Sequence, residues 1–145
     1  MPELIRILVV DDEVVVLQSV TKVLKSDDEH QFLIDFALSA FEGLELIRTE
    51  KYDIVVTDLM MPRMDGLEFI EQIRKHDESI RIIMITGYAT MHTAAQALQL
   101  GAYDYIAKPF TKQELRQAVK IAASSAAVMH RRLQHGSGKM NTMAD

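Results

Sequence analysis

The chain has 145 residues, of which 48% are hydrophobic but only 6% aromatic, which suits one aliphatic-cored domain plus a short appendage. The net charge is −5 without any long basic run, which argues against a nucleic-acid surface. There are no cysteines, so disulfides, thiolate metal sites and a cysteine nucleophile are excluded.

The start, Met1-Pro2-Glu3-Leu4-Ile5-Arg6, lacks the basic region of a signal peptide, and its apolar run ends at Asp11-Asp12. No run is long enough to span a bilayer, so no membrane association and a cytoplasmic location are expected. Ile7 to Val10 is a short apolar run that reads as a strand buried on both faces. Val14 to Lys25 places Leu17, Val20 and Leu24 at helical spacing. Phe32, Ile34 and Phe36 alternate with Leu33, Asp35 and Ala37, the pattern of a strand nearer a sheet edge. Ser39 with Glu42 forms a capping-box pattern before a helix over Phe41 to Arg48. Ile54 to Val56 predicts another buried strand, ending at Thr57-Asp58. Asp65 with Glu68 predicts a second cap, opening a helix through Leu67, Ile70 and Ile73. Ile82 to Ile85 predicts a fourth strand ending at Thr86. Thr90 caps a helix from Met91 to Leu100, with Gly101 as its stop. Tyr103 to Ala107 predicts a fifth strand ending at Lys108-Pro109, and Thr111 with Glu114 opens the last helix.

Five alternations of strand and helix predict an α/β fold: a doubly wound parallel sheet with helices on both faces. A flavodoxin-like five-stranded sheet in the order 2-1-3-4-5 is the expected arrangement. The composition shifts after about Ala123, and Gly136-Ser137-Gly138 and the polar run to Asp145 read as a flexible tail. The division expected is 1–123 for the domain and 124–145 for a C-terminal helix extension and tail.

The residues at the carboxyl ends of the predicted strands are Asp11-Asp12, Asp58, Thr86 and Lys108. In an open parallel sheet these ends lie on one edge, where ligands bind. Singly, each has an ordinary reading: Asp11 and Asp12 as helix-start acids, Asp58 as a turn residue, Thr86 as a strand end, Lys108 as a solvated lysine and Pro109 as a turn marker. Jointly, three carboxylates, a hydroxyl and an ammonium on one edge form a specific set. Carboxylates so gathered need a cation, and all-oxygen ligands without cysteine favour Mg²⁺ or Mn²⁺ over zinc. Such a site suits phosphoryl transfer, which rests on charge neutralisation and positioning, with a strand-end carboxylate as nucleophile.

These residues carry a family resemblance. Leu8-Val9-Val10-Asp11-Asp12-Glu13, Val55-Val56-Thr57-Asp58-Leu59-Met60-Met61-Pro62, Met64-Asp65-Gly66, Ile85-Thr86-Gly87-Tyr88 and Gly101 through Phe110, in this order, make the stretch from about Ile5 to Ala123 resemble the receiver domains of two-component response regulators. The resemblance implies that Asp58 accepts a phosphoryl group from a phosphohistidine on a sensor kinase. It also implies that Asp12, Asp58 and the Met60 carbonyl bind Mg²⁺ with help from Asp11, and that Lys108 pairs with the phosphoryl group. The Lys108-Pro109 bond is expected to be cis. Thr86 and Tyr105 are expected to act as a switch pair that reshapes the face of the fourth helix, fifth strand and last helix for a downstream effector. The segment from Thr86 to Phe110 is most similar to receivers of the nitrogen-regulatory transcription activator class. In that class an ATPase and a DNA-binding domain follow. Neither pattern occurs after Pro109, so the chain reads as a stand-alone regulator or a fragment.

Leu115, Val119, Ala122, Ala126, Met129 and Leu133 are spaced alternately four and three apart. An amphipathic helix on the sheet explains Leu115 and Val119; the later positions suit a dimerising or linker helix, giving two candidate homodimer surfaces, this helix and the face just described. Two other functions compete. A haloacid-dehalogenase-like phosphatase also uses a strand-end aspartate and Mg²⁺, but needs a general acid two residues on, where this chain has Met60. A nucleotide-binding flavodoxin-like protein needs a glycine-rich loop after the first strand, where Asp11-Asp12 stands instead. The expectation is therefore a phosphoacceptor domain and not a turnover enzyme.

Overall fold

The computed structural model describes residues 4–26 and 31–124. Strands form where β-branched and aliphatic residues run together: β1 (Leu4–Val10), β2 (Gln31–Ala37), β3 (Ile54–Thr57), β4 (Arg81–Thr86) and β5 (Asp104–Ala107). Between and after them lie α1 (Val14–Lys25), α2 (Ala40–Thr49), α3 (Gly66–His76), α4 (Met91–Gln99) and α5 (Lys112–Ala123). All four strand pairings are parallel, in the order β2-β1-β3-β4-β5. This is the expected flavodoxin-like arrangement.

The sheet is buried on both faces because its central strands alternate between two cores. Leu8, Val10, Val55, Ile82 and Met84 pack with Phe69, Ile70 and Ile73 of α3. The residues between them, Ile7, Val9, Ile54, Val56, Ile83 and Ile85, pack with Leu17 and Val20 of α1 and with Leu115 and Val119 of α5. Each fully buried aliphatic side chain contributes about 1.5–3 kcal/mol relative to its exposed state. Edge strand β2 is covered less: Phe32 and Ile34 are half-buried, and Phe36 is 57% exposed. β1 begins at Leu4, earlier than the apolar run implied. Arg6 stands just before that run, and its side chain leaves the core to pair with Asp35 and Glu50 and to lie over the Tyr52 ring.

Every cap expected from the sequence forms. Ser39 accepts from the Glu42 N–H and Asp65 from the Glu68 N–H. Both halves of a capping box close at Thr111/Glu114 in α5, and also at Thr90/Thr93 in α4. Gly101 follows the end of α4 at φ 109°, a left-handed conformation that favours glycine. Leu115, Val119 and Ala122 of the heptad-like seam are fully buried against the sheet. Ala126, Met129 and Leu133, and all of the extension 124–145 except Ser124, lie outside the described residues. Among the described residues, no helix is long and apolar enough to cross a membrane.

Candidate functional site

The sheet ladder itself assembles the site. Val10 pairs with Thr57 at the ends of β1 and β3. One residue further, the Asp11 N–H donates to the Ala37 carbonyl at 3.2 Å and the Asp58 N–H to the Val10 carbonyl at 3.1 Å. Hydrogen bonding thus continues past both strand ends and holds the two aspartates on one edge. On the other side, the Lys108 N–H donates to the Thr86 carbonyl at 2.8 Å, which fixes the start of the Lys108 side chain. The Lys108-Pro109 peptide bond is cis.

Three of the expected site residues meet directly. Lys108 Nζ lies 3.3 Å from Asp11 Oδ2 and 3.4 Å from Asp58 Oδ2. Asp11 is 2% and Asp58 6% exposed, unusual burial for carboxylates and tolerable only with such partners. The other Asp58 oxygen accepts from the Leu59 N–H at 2.7 Å, and the other Asp11 oxygen from the Glu13 N–H at 2.9 Å. Burial pushes the Asp11 carboxyl up and the Asp58 charge adds to this; the Glu13 N–H and Lys108 pull it back, leaving it at about 6. Burial lowers the Lys108 ammonium, but the charges of Asp11 and Asp58 outweigh that and raise it overall. At neutral pH the Asp11 carboxylate therefore faces the Lys108 ammonium.

Asp12 is exposed, and so is Met60, whose side chain points to solvent at 56% exposure. Carboxylate oxygens of Asp11, Asp12 and Glu13 all lie within 4.8 Å of one another. This trio of hard oxygen donors beside a buried Asp58 fits a hard divalent cation. Glu13 had no place in the ligand set expected from the sequence; its position immediately before α1 was the available signal. Asp58 stands outside the trio and is joined to it through Asp11 and Lys108.

Thr86 and Tyr105 are placed by strand parity. Met84 pairs with Tyr105 and Thr86 with Ala107, and Tyr105 packs against the same core as Met84. Thr86 is fully buried, and its Oγ1 accepts from the Tyr88 N–H at 3.0 Å. Tyr105 is half-buried, with its hydroxyl 2.6 Å from Thr93 Oγ1 on α4.

Gly66 is a site residue whose role the sequence did not disclose. Its N–H donates to the Leu59 carbonyl at 2.7 Å. A Cβ there would stand 2.4 Å from the Asp58 carbonyl oxygen and 2.9 Å from Leu59 Cα. Only glycine lets the start of α3 approach the Asp58 loop this closely.

Residues 7–120 match the family model of the response regulator receiver domain. The chain is 31% identical over 138 residues to the transcriptional regulatory protein DltR of Streptococcus agalactiae, covering 94% of this chain and 60% of that protein. It thus spans about three fifths of that relative's length. It is 32% identical over 115 residues to the sporulation initiation phosphotransferase F of Bacillus subtilis, covering 79% of this chain and 90% of that one. Among solved structures, NtrX from Brucella abortus superposes with a TM-score of 0.78 at 31% identity, covering 91% of this chain and 30% of that chain. With its sheet order, its paired acids at the ends of β1 and β3 and its lysine after β5, the chain belongs to the response regulator receiver domain family of two-component signalling.

Proposed function

We propose that Asp58 takes a phosphoryl group from a phosphohistidine on a sensor histidine kinase or a phosphotransfer protein. The observation that carries this reading is the buried Asp58 carboxylate at the end of β3, with one oxygen turned to Lys108 beside Asp11. In the transfer, an Asp58 oxygen forms a bond to phosphorus. The phosphorus–nitrogen bond to the donor imidazole breaks, and its electron pair stays on that nitrogen. Lys108 donates to a phosphoryl oxygen and holds it in place. Asp11, Asp12, Asp58 and the Met60 carbonyl would hold Mg²⁺, or Mn²⁺, and the bound ion neutralises charge on the phosphoryl oxygens. Met60 and Tyr88 flank the site, Tyr88 at 61% exposure, and set how far water reaches the acyl phosphate.

The readout passes through Thr86 and Tyr105. The Thr86 hydroxyl leaves the Tyr88 N–H for the phosphoryl group, and Tyr105 turns into the vacated space. This shifts a population between two states by a new local charge. The face of α4, β5 and α5 then changes shape. Before any change that face already exposes Met91 at 92%, Leu98 at 53% and Ile121 at 48%, apolar contacts suited to a downstream effector domain or protein or to a second copy of the chain. Residues 1–123 form the receiver unit, and 124–145 the extension that carries the signal or pairs two copies. The domain acts in the cytoplasm and binds no nucleic acid itself. Its own chemistry is limited to taking and losing the phosphoryl group.

The test is labelling by a small phosphodonor such as acetyl phosphate. Labelling depends on Mg²⁺ and is abolished in Asp58→Asn; labelling that survives this substitution refutes the assignment. Lys108→Ala still binds Mg²⁺ but fails to switch, and normal output from that variant removes Lys108 from the mechanism.

A further inference from the structure

Thr93 sits where two systems meet. Its hydroxyl oxygen lies 3.1 Å from the Thr90 N–H, 3.1 Å from the Thr90 carbonyl, 3.0 Å from Thr90 Oγ1 and 2.6 Å from the Tyr105 hydroxyl. A hydroxyl offers one proton and two lone pairs. Four neighbours therefore share three bonding positions. The proton is best given to the Thr90 carbonyl, which can only accept. One lone pair takes the Thr90 N–H, which can only donate. A single lone pair is left, and the hydroxyls of Tyr105 and Thr90 compete for it. Tyr105, at 2.6 Å against 3.0 Å for Thr90 Oγ1, is the nearer of the two and takes that position in this state.

We propose that Thr93 is a positioning residue for the switch: its hydroxyl latches Tyr105 against the first turn of α4, and the Thr90 hydroxyl is the replacement donor when Tyr105 departs. The inference rests on reading Thr86 and Tyr105 as the switch pair, and it adds the group that sets how readily that pair moves. Two properties of the arrangement follow. Departure of the ring leaves no orphaned acceptor, because Thr90 Oγ1 is already 3.0 Å away, so the cost of unlatching is small. The capping box at Thr90/Thr93 does not use the Tyr105 hydroxyl, so departure of the ring leaves the box intact and α4 responds by shifting and not by fraying.

The same geometry links the latch to the acceptor site. The β4–α4 loop is tied at its start by the Tyr88 N–H donating to Thr86 Oγ1 and at its end by the Thr90/Thr93 box. Thr86 and Tyr105 project from the same face of neighbouring strands. Loss of the first tie frees the loop, and loss of the Tyr105 contact frees α4, which among its residues buries Ala97 alone. Thr93 is thus the side chain through which the fourth helix holds the fifth strand's tyrosine.

Two measurements test this on the intact chain. The first is the side-chain rotamer population of Tyr105 in the unmodified protein, read by NMR couplings. Wild type and Thr93→Ser hold one rotamer, and Thr93→Val mixes two; an unchanged population in Thr93→Val overturns the latch whatever the chemistry of Asp58. The second is the affinity for beryllofluoride with Mg²⁺, a phosphoryl mimic. Thr93→Val and Tyr105→Phe each tighten binding by about three- to tenfold, the effect of one hydrogen bond. In the Tyr105→Phe background, Thr93→Val adds less than about twofold, since the shared bond is already gone. A full effect of Thr93→Val in that background means that Thr93 acts only as a helix cap, and overturns the proposal. Should Thr93→Val not fold, an unchanged affinity in Tyr105→Phe overturns it instead. Wild type that fails to bind beryllofluoride sinks the acceptor reading, while the rotamer measurement still decides the latch.

Discussion

Helices α4 and α5 begin alike and are held differently. Each opens with a reciprocal capping box, Thr90/Thr93 and Thr111/Glu114. Yet α5 buries Leu115, Ala118, Val119, Ala122 and Ala123, and α4 buries Ala97 alone. Arg116 further ties α5 to α1 through the Val23 carbonyl and the Ser26 hydroxyl. Capping stabilises a helix as a helix, while burial fixes its place in the fold. Helix α5, with α1 and the central strands, is therefore the frame that holds Asp11, Asp58 and Lys108 in register. Helix α4 buries far less, with Ala97 in the core and Leu100 packed beside it, so the polar contacts at Thr93 carry a larger share of what holds it.

This contrast can be broken by substitution. Leu115→Ala, in the frame, should cost about 2–5 kcal/mol in urea unfolding, from lost transfer energy and a residual cavity; a cost under about 1 kcal/mol would place α5 among the loosely held elements. Gly66→Ala should cost about 1–3 kcal/mol by forcing α3 away from the Asp58 carbonyl, and should weaken phosphodonor labelling as well. A variant with wild-type stability and labelling would show that the close approach at Gly66 is unnecessary. Leu98→Ala, on α4, should fall within about 0.5 kcal/mol of wild type, and α4 amides should exchange with solvent sooner than those of α5. Equal protection of the two helices would erase the distinction.

A separate effect is a dependence on pH. The Asp11 carboxyl stands at about 6 when folded, against about 3.9 in an unfolded chain. The folded state thus binds the proton more tightly, and metal-free protein should lose stability as pH rises from about 4 to about 6, then level off. A bound cation requires the ionised carboxylate, so Mg²⁺ affinity should fall as pH drops below about 6. Titrations of stability with and without Mg²⁺ check both signs; affinity that is flat across this window would take Asp11 out of the metal site.

Local signals in the sequence announced most of the fold. The apolar runs of β1, β3 and β4, the alternation in β2 and the caps at Ser39, Asp65, Thr90 and Thr111 depend on neighbours in the chain, and each appears in place. The strand-end rule likewise put Asp11, Asp58 and Lys108 on one edge, where they now touch. What escaped was set by local backbone geometry or by tertiary approach. Glu13 joins Asp11 and Asp12 only through the way the chain enters α1. Gly66 matters because α3 starts against the Asp58 carbonyl. Thr93 closes a box by Thr-to-Thr contacts that the usual Glu signature does not announce, and its bond to Tyr105 joins two elements twelve residues apart. Arg6 shows the converse, a charged residue inside β1 that the fold accommodates through Asp35, Glu50 and Tyr52.

The central claim is that the carboxylate ending β3 receives the phosphoryl group. Protein treated with a small phosphodonor and Mg²⁺ can be reduced with borohydride, which converts an aspartyl phosphate to homoserine, and then digested and sequenced by mass spectrometry. Homoserine is expected at position 58 alone, and none when Mg²⁺ is withheld. Reduction at Asp11 or Asp12, or a phosphoryl group found on a hydroxyl or imidazole while position 58 remains aspartate, would contradict it.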